Sequence, residues 1–430
     1  MEITLPNEWQ ARPHQRNFFR YMEGGGKRYV GVWHRRAGKD TAAVNWAAMA
    51  AMRRVGTYWH MLPTLRQARL AIWDGIGKDG RRLIDQAFPQ PLRAAIRNDE
   101  MKIQLANGSV WQLCGSDNYN SLVGSNPVGV VFSEWSLTDP RAWDFVRPIL
   151  AENGGWAIFI YTPRGRNHGH TQLEVARANP SWMHEVLTVD DTKLLSAADI
   201  NEERKSGMSE DLIQQEYYCS FEAPNRGSYY GRLIEEARKD GRITRVPYDP
   251  QLGVHTWWDL GVNDPTAIWF TQSSAFEHRV IDYYEGSGEG MAHYARVLAD
   301  KPYAYAGHHF PHDVQVRELG SGKSRVETLR EMGIEAQLVP NLPLEDGIEA
   351  LRGLLPLCWF DEEKCRVGLD ALVSYHRKYD EERKCFGPKP EHDWSSNGAD
   401  AARYFAVGSQ QTRRYQAPQR SPRRAGWLAA

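Results

Sequence analysis

The 430-residue sequence predicts an α/β fold in two domains. Three observations carry that expectation. Tyr29-Val-Gly-Val-Trp33 is an apolar, β-branched run that passes through a short polar loop into residues 41–52, an alanine-rich segment with the composition of a strong helix former. Further apolar strands in the first half alternate with helices and close on polar residues, the pattern of a mostly parallel sheet. In the second half, 253–261, 264–270 and 279–284 are strand-like runs separated by turn residues, which predicts an antiparallel meander opening a second sheet.

Between the first strand and its helix lies Arg35-Arg36-Ala37-Gly38-Lys39-Asp40. Gly38-Lys39 at a helix N-terminus supplies what a polyphosphate needs: N–H groups without intrahelical partners, the positive end of the helix dipole, and a lysine reaching the outer phosphates. The segment reads as a P-loop, with Arg35, Arg36, Ala37, Gly38, Lys39, Asp40 and Thr41 as candidate nucleotide-binding residues. Two positions break the strict pattern. Trp33 stands where the first glycine belongs, and Asp40 where a Ser or Thr hydroxyl would meet Mg2+. The plainer alternative is a strand-turn-helix with a glycine at its corner.

Ahead of this loop, Arg16-Asn-Phe-Phe-Arg-Tyr-Met22 predicts a short amphipathic helix preceded by Gln15, whose amide can read an adenine edge. Tyr58-Trp-His-Met-Leu-Pro-Thr64 predicts a second buried strand, continued by a helix over 65–74. Residues 101–105 and 109–114 flank Asn107-Gly108 and predict a hairpin. Val128-Gly-Val-Val-Phe-Ser-Glu-Trp135 is an apolar strand whose terminal acid points into the crevice at the sheet's carboxyl edge. In a P-loop ATPase such a strand ends Asp-Glu, the aspartate supporting Mg2+ and the glutamate activating water. Here Glu134 holds the glutamate's place and Ser133 the aspartate's. We expect the two ligand types to be exchanged between Asp40 and Ser133, because Mg2+ needs oxygens at octahedral spacing rather than a particular strand. A further strand over 156–162 brings Thr162 to the same edge. Residues 188–218 are helical and charged, a lid or connector, and Glu222-Ala-Pro-Asn-Arg-Gly-Ser228 is a domain break.

In the second half Asp259 closes the first strand, Asp313 follows a strand over 305–313, and Asp400 is expected in the first turn of a helix. Three carboxylates from two strand ends and a helix suit a two-metal phosphodiesterase, since divalent ions about 3.5–4 Å apart need bridging oxygens. Singly, each has a plainer reading: a turn cap, a solvated loop acid, a residue suited to a helix N-terminus. After Gly408 the tail carries Arg413, Arg414, Arg420, Arg423 and Arg424 and no acids, which predicts a flexible basic arm.

Bulk composition limits the function classes. With 53 basic and 54 acidic residues the net charge is −1, so nucleic-acid contact must come from local patches. Five cysteines without C-x-x-C spacing predict a reduced, cytosolic protein. The N-terminal residues carry no signal pattern and no apolar run approaches 18 residues, so neither secretion nor membrane spanning is expected. The 16 tryptophans are expected in cores or facing DNA.

Taken together, the motifs resemble the large terminase subunit of tailed bacteriophages, in the family's order: Gln15, Arg35-Arg36-Ala37-Gly38-Lys39, the strand ending at Glu134, Thr162-Pro163, Trp258-Asp-Leu-Gly261, Pro311-His-Asp313 and Ser396-Asn-Gly-Ala-Asp-Ala401. The resemblance implies that Lys39 binds the β/γ-phosphates of ATP, Glu134 polarises water and Thr162 senses the γ-phosphate. It implies that Asp259, Asp313 and Asp400 hold Mg2+ or Mn2+ in an RNase H-like endonuclease with a mixed sheet. The implied divisions are a P-loop ATPase domain over 1–187, a helical lid or linker over 188–224, the nuclease domain over 225–408 and a flexible basic tail over 409–430. The implied activity is packaging of viral double-stranded DNA, with cutting of concatemers. The implied partners are double-stranded DNA, the portal protein and procapsid, a small terminase subunit and a ring of like subunits, in the host cytoplasm and with no membrane. Asn397 stands where many relatives carry a histidine. Leu122-Val123-Gly124 offers valine where many carry arginine, leaving Arg35, Arg36 and Arg141 as arginine-finger candidates. Rival readings are a helicase or restriction-type ATPase joined to a nuclease, and a non-enzymatic DNA-binding capsid-vertex protein.

Overall fold

The computed structural model describes residues 4–122, 124–222, 227–261, 264–274, 277–315, 324–380 and 385–416. The chain divides into two compact units, Met1–Ser228 and Tyr229–Ala430, each organised on its own sheet.

The first unit holds eight strands: β1 (Arg28–Trp33), β2 (Thr57–Leu62), β3 (Arg93–Arg97), β4 (Lys102–Leu105), β5 (Val110–Gly115), β6 (Pro127–Ser133), β7 (Trp156–Tyr161) and β8 (Met183–Leu187). Their order is β3-β4-β5-β2-β6-β7-β1-β8, parallel from β5 to β8 and antiparallel through β3-β4-β5. The expected hairpin is the β4-β5 pair, and Gly108 takes the positive φ of its turn at +92°. Alternate side chains feed two cores. Tyr29, Val131 and Ile158 pack with the helix Lys39–Arg53, whose buried alanines let it approach the sheet. Val30, Val32, Phe132 and Phe159 pack against the helices Arg141–Asn153 and His168–Ala178 on the other face. Burial on both faces explains why these strands read as continuous apolar runs, each large side chain contributing about 1.5–3 kcal/mol. The helix expected over 65–74 is one α turn, Leu65–Ala68, followed by a π turn, Arg69–Trp73. The charged segment forms three short helices, Val189–Thr192, Ala197–Lys205 and Glu210–Glu216, capped by the hydroxyls of Thr188, Ser196 and Ser209.

In the second unit β9 (Ile243–Thr244), β10 (Val254–Asp259), β11 (Thr266–Ser273), β12 (His278–Gly286), β13 (Tyr305–Phe310), β14 (Ala336–Leu338) and β15 (Cys358–Asp361) lie in the order β14-β13-β10-β11-β12-β15-β9. The β10-β11-β12 meander is antiparallel and its flanking pairs are parallel, so the sheet is mixed. The helix Ser396–Gln416 packs on it, with Phe405 5.3 Å from the Trp257 ring and the Trp269 indole donating to the Gly398 carbonyl at 2.8 Å.

Two expectations are corrected here. Asp400 is not in the first turn of its helix, because an Asp393 turn bonded to Ser395 and Ser396 starts the helix at Ser396 and places Asp400 one turn in. The same helix runs on to Gln416, so 409–416, expected as the start of the tail, are helical. Residues 417–430 and Val123 lie outside the described residues. Among the described residues no helix is long and apolar enough to cross a membrane.

Candidate nucleotide and metal sites

The loop after β1 is shaped from below by the N-terminal segment. Gly38 has φ +82°, and a Cβ there would lie 3.0 Å from the Gln15 amide nitrogen, so both conformation and space call for glycine. Gln15 is buried; its amide nitrogen donates to the Ala37 and Gly38 carbonyls at 3.2 and 3.1 Å, and its oxygen accepts from the Arg12 N–H at 2.9 Å. The amide nitrogen is therefore engaged with the loop and the oxygen with the Arg12 backbone. Arg36 also takes a left-handed conformation, φ +68°, a strain that marks functional turns.

Three strand ends converge above the loop. Lys39 Nζ lies 3.0 Å from Glu134 Oε1 after β6 and donates to Thr162 Oγ1 after β7 at 3.3 Å. Thr162 in turn donates to the Trp33 carbonyl at the end of β1, and Ser136 Oγ donates to the Thr162 carbonyl at 2.7 Å. Burial works against the Lys39 charge, but Glu134 and Asp40 outweigh it and its pKa is raised. Glu134 sits at φ +51°, held in a left-handed turn directly after the strand. A buried lysine paired with a part-exposed carboxylate is a cation site ready to exchange its partner for a phosphate.

Asp40, in the first turn of the helix, accepts from Ser133 Oγ at 2.5 Å through Oδ1. Burial would raise the Asp40 carboxyl, yet His60, Lys39 and Ser133 together hold it below its ordinary value. Both side chains offer oxygen, the donor type that fits Mg2+. The structure thus brings together Asp40 of the loop helix and Ser133 at the end of β6, the two positions whose oxygen types depart from the usual arrangement. Thr41 follows in the same helix turn.

The helical segment latches onto the loop. The Arg35 N–H donates to the Glu216 carbonyl at 2.8 Å, and His34 Nε2 meets Thr192 Oγ1 at 2.6 Å. Glu216, 3% exposed, pairs with Arg164 and lies 3.9 Å from the Arg35 guanidinium. Burial opposes both charges of the Arg164–Glu216 pair, but their mutual attraction lowers the Glu216 pKa and raises that of Arg164, with Glu134 adding to the latter. Among the arginine candidates, Arg35 and Arg36 have exposed side chains, whereas Arg141 is bonded to Asp139. Sequence reasoning missed Arg164, although it directly follows Thr162-Pro163, and His60, a polar residue in the middle of the buried run Tyr58–Leu62. Glu216 carried no local signal at all.

In the second unit Asp259 ends β10, Asp313 lies in the 3-10 turn His312–Gln315 after the neighbouring parallel strand β13, and Asp400 faces them from the helix Ser396–Gln416. Asp259 is pushed well above the carboxylate range, first by burial and then by the charges of Asp400 and Asp313. Burial also raises Asp313, and raises Asp400 despite Arg403, which lies 3.2 Å away one turn along the helix. Carboxylates that repel one another this way suit a divalent cation. Among the described residues no three acids, histidines or cysteines close into a ready coordination shell. Asn397 is buried at the start of the same helix.

The chain matches no protein-family model. Over 335 residues it is 24% identical to the terminase large subunit of Escherichia phage T5, covering 71% of this chain and 70% of that protein. Among solved structures, it is similar to the large terminase of a thermophilic bacteriophage, with TM-score 0.42 at 16% identity over 93% of this chain and 99% of that one. The P22 large terminase nuclease domain is similar with TM-score 0.32 at 16% identity, over 41% of this chain and 94% of that one.

Proposed function

We propose that this chain is a DNA-packaging motor of the large terminase kind, which hydrolyses ATP to drive double-stranded DNA into a procapsid and cuts concatemers with a metal-dependent endonuclease. The observation that carries the reading is the convergence of Lys39, Glu134 and Thr162 from three strand ends on one loop. The sequence likeness to the phage T5 protein and the separate acidic triad of the second unit support it.

On this reading Lys39 leaves Glu134 for the β/γ-phosphates, which frees the Glu134 carboxylate to orient and deprotonate water. Thr162 loses its Lys39 donor in the same event, and Ser136, bonded to the Thr162 carbonyl, links the two strand ends that register the change. Asp40 and Ser133 hold the nucleotide's Mg2+, which when bound neutralises developing phosphate charge. Asp259, Asp313 and Asp400 would hold Mg2+ or Mn2+, which when bound would supply activation of water against a phosphodiester. DNA contacts are to phosphates, as a motor indifferent to sequence requires. The partners are the portal and procapsid, the small terminase subunit and further copies of this chain in a ring, in the host cytoplasm.

The test is ATP-dependent protection of linear duplex DNA from added nuclease by the purified chain with empty procapsids. Protection that needs ATP, without strand separation in a parallel unwinding assay, supports packaging. Unwinding without packaging would replace the proposal with a helicase, and absence of ATP hydrolysis with DNA present would remove the motor altogether.

A further inference from the structure

His60 occupies the middle of β2 and is 0% exposed. Its neighbours in the strand, Tyr58, Trp59, Met61 and Leu62, are all buried apolar or aromatic residues, and the Trp111 ring meets its imidazole edge-on at 6.3 Å. Neither ring nitrogen has a hydrogen-bond partner among the described residues. Burying an imidazole in that way costs about 1–3 kcal/mol for each unmet polar group. Asp40 Oδ1 lies 3.5 Å from Nε2, at the outer limit of a hydrogen bond. That same oxygen accepts the Ser133 hydroxyl at 2.5 Å.

We propose that His60 is a positioning residue for the metal of the nucleotide site, donating Nε2–H to Asp40 so that this carboxylate, with Ser133, keeps the orientation a divalent ion requires. The inference rests on the nucleotide-binding reading given above. Its physical basis is the exchange of a hydroxyl for a carboxylate at the first turn of the loop helix. A carboxylate is longer than a threonine hydroxyl, rotates, and carries two competing oxygens. Ser133 and His60 both address Oδ1, which leaves Oδ2 to face an ion. Parallel register makes this reach inevitable: His60 pairs with Val131 and Met61 with Phe132, one residue short of Ser133. Partners that orient a metal ligand commonly change metal affinity by about 10–100-fold when removed.

The experiment is binding of a fluorescent, non-hydrolysable ATP analogue to the full chain across a Mg2+ series and in EDTA, for wild type, His60→Leu and His60→Gln. Wild type is expected to bind more tightly as Mg2+ rises. His60→Leu should lose about 10-fold of that metal-dependent gain. Its affinity in EDTA should stay within about 2-fold, and without nucleotide it should melt no lower than wild type, because the lost contact to Asp40 is offset by removing the unmet Nδ1 from the core. His60→Gln, which keeps a donor, should recover most of the Mg2+ response. Full Mg2+ dependence in His60→Leu, equal loss with and without metal, or a much lower melting temperature would each overturn the proposal. Absence of any nucleotide binding by wild type would instead overturn the ATPase reading on which it rests.

Discussion

Asp40 Oδ1 and Ser133 Oγ lie 2.5 Å apart although 93 positions separate them in sequence. In the usual arrangement the loop helix gives the hydroxyl and the strand before the glutamate gives the carboxylate. Here the donor types sit on opposite elements and still face each other. Asp40→Thr should therefore remove the site's carboxylate, and Ser133→Asp should crowd two negative charges around one ion. Each single variant is expected to lose most ATP turnover, with the combined variant regaining much of it through a coupling of about 1–3 kcal/mol. Steady-state ATPase rates at several Mg2+ concentrations measure this, and a double variant worse than both singles would show that the positions share no metal.

The Arg164–Glu216 pair ties the residue after Thr162-Pro163 to the last helix of the charged segment, 52 positions on. Removing one partner strands a buried charge, so Arg164→Ala should destabilise the first unit by about 3–5 kcal/mol, read by urea unfolding at neutral pH. Adding Glu216→Leu should return most of that loss. The Glu216 pKa is lowered in the folded chain, so the pair's contribution is present above the ordinary glutamate value of about 4.3 and fades as pH falls through the folded value. A wild-type minus Arg164→Ala difference that stays constant from pH 7 down to strongly acidic pH would contradict this assignment.

Asp259 belongs to the second unit and Lys39, Glu134 and Thr162 to the first. Asp259→Ala is expected to reduce metal-dependent plasmid nicking by at least ~100-fold while ATP hydrolysis keeps its wild-type rate. Gel assays of nicking and phosphate release on the same preparation decide the point, and parallel loss of both activities in a folded variant would sink the two-site arrangement.

Divalent metal should bind the second unit with release of protons. Asp259 is held well above its ordinary value and Asp313 and Asp400 are raised from theirs, so these groups carry protons at pH values where free aspartates do not. An ion must displace them, which makes its affinity rise with pH until Asp259 is fully ionised. Titration calorimetry with Mn2+ in buffers of different ionisation enthalpy should find proton release that shrinks as pH increases and is reduced in Asp259→Ala. Pipes and Tris giving identical heats at acidic pH would falsify the expectation.

Strands β1, β2, β6 and β7 of the first sheet, its β4-β5 hairpin and the β10-β11-β12 meander were legible because each is written in adjacent residues: apolar runs, Asn107-Gly108, turn residues between short strands. The loop residues and strand-end acids were legible for the same reason. Strands β3 and β8 were not, since β3 is an exposed edge strand and β8 alternates only weakly in burial. Asp400 was misplaced by a turn, because the helix start depends on side-chain bonds from Asp393 that composition does not weigh.

The sequence by itself determined the α/β class, the glycine corner that only Gly38 can turn, and the order in which Lys39, Glu134, Thr162, Asp259, Asp313 and Asp400 arrive. These follow from steric and periodic preferences that act between near neighbours. Tertiary structure alone decided that Gln15 serves the loop, that Asp40 meets Ser133 and His60, and that Arg164 finds Glu216. Such meetings depend on register: β2 against β6 sets His60 beside Val131, and β6 against β7 sets Ser133 beside Ile160. A slip of one residue in either pairing would turn those side chains to the opposite face, so the packed core of the whole unit holds the site in place.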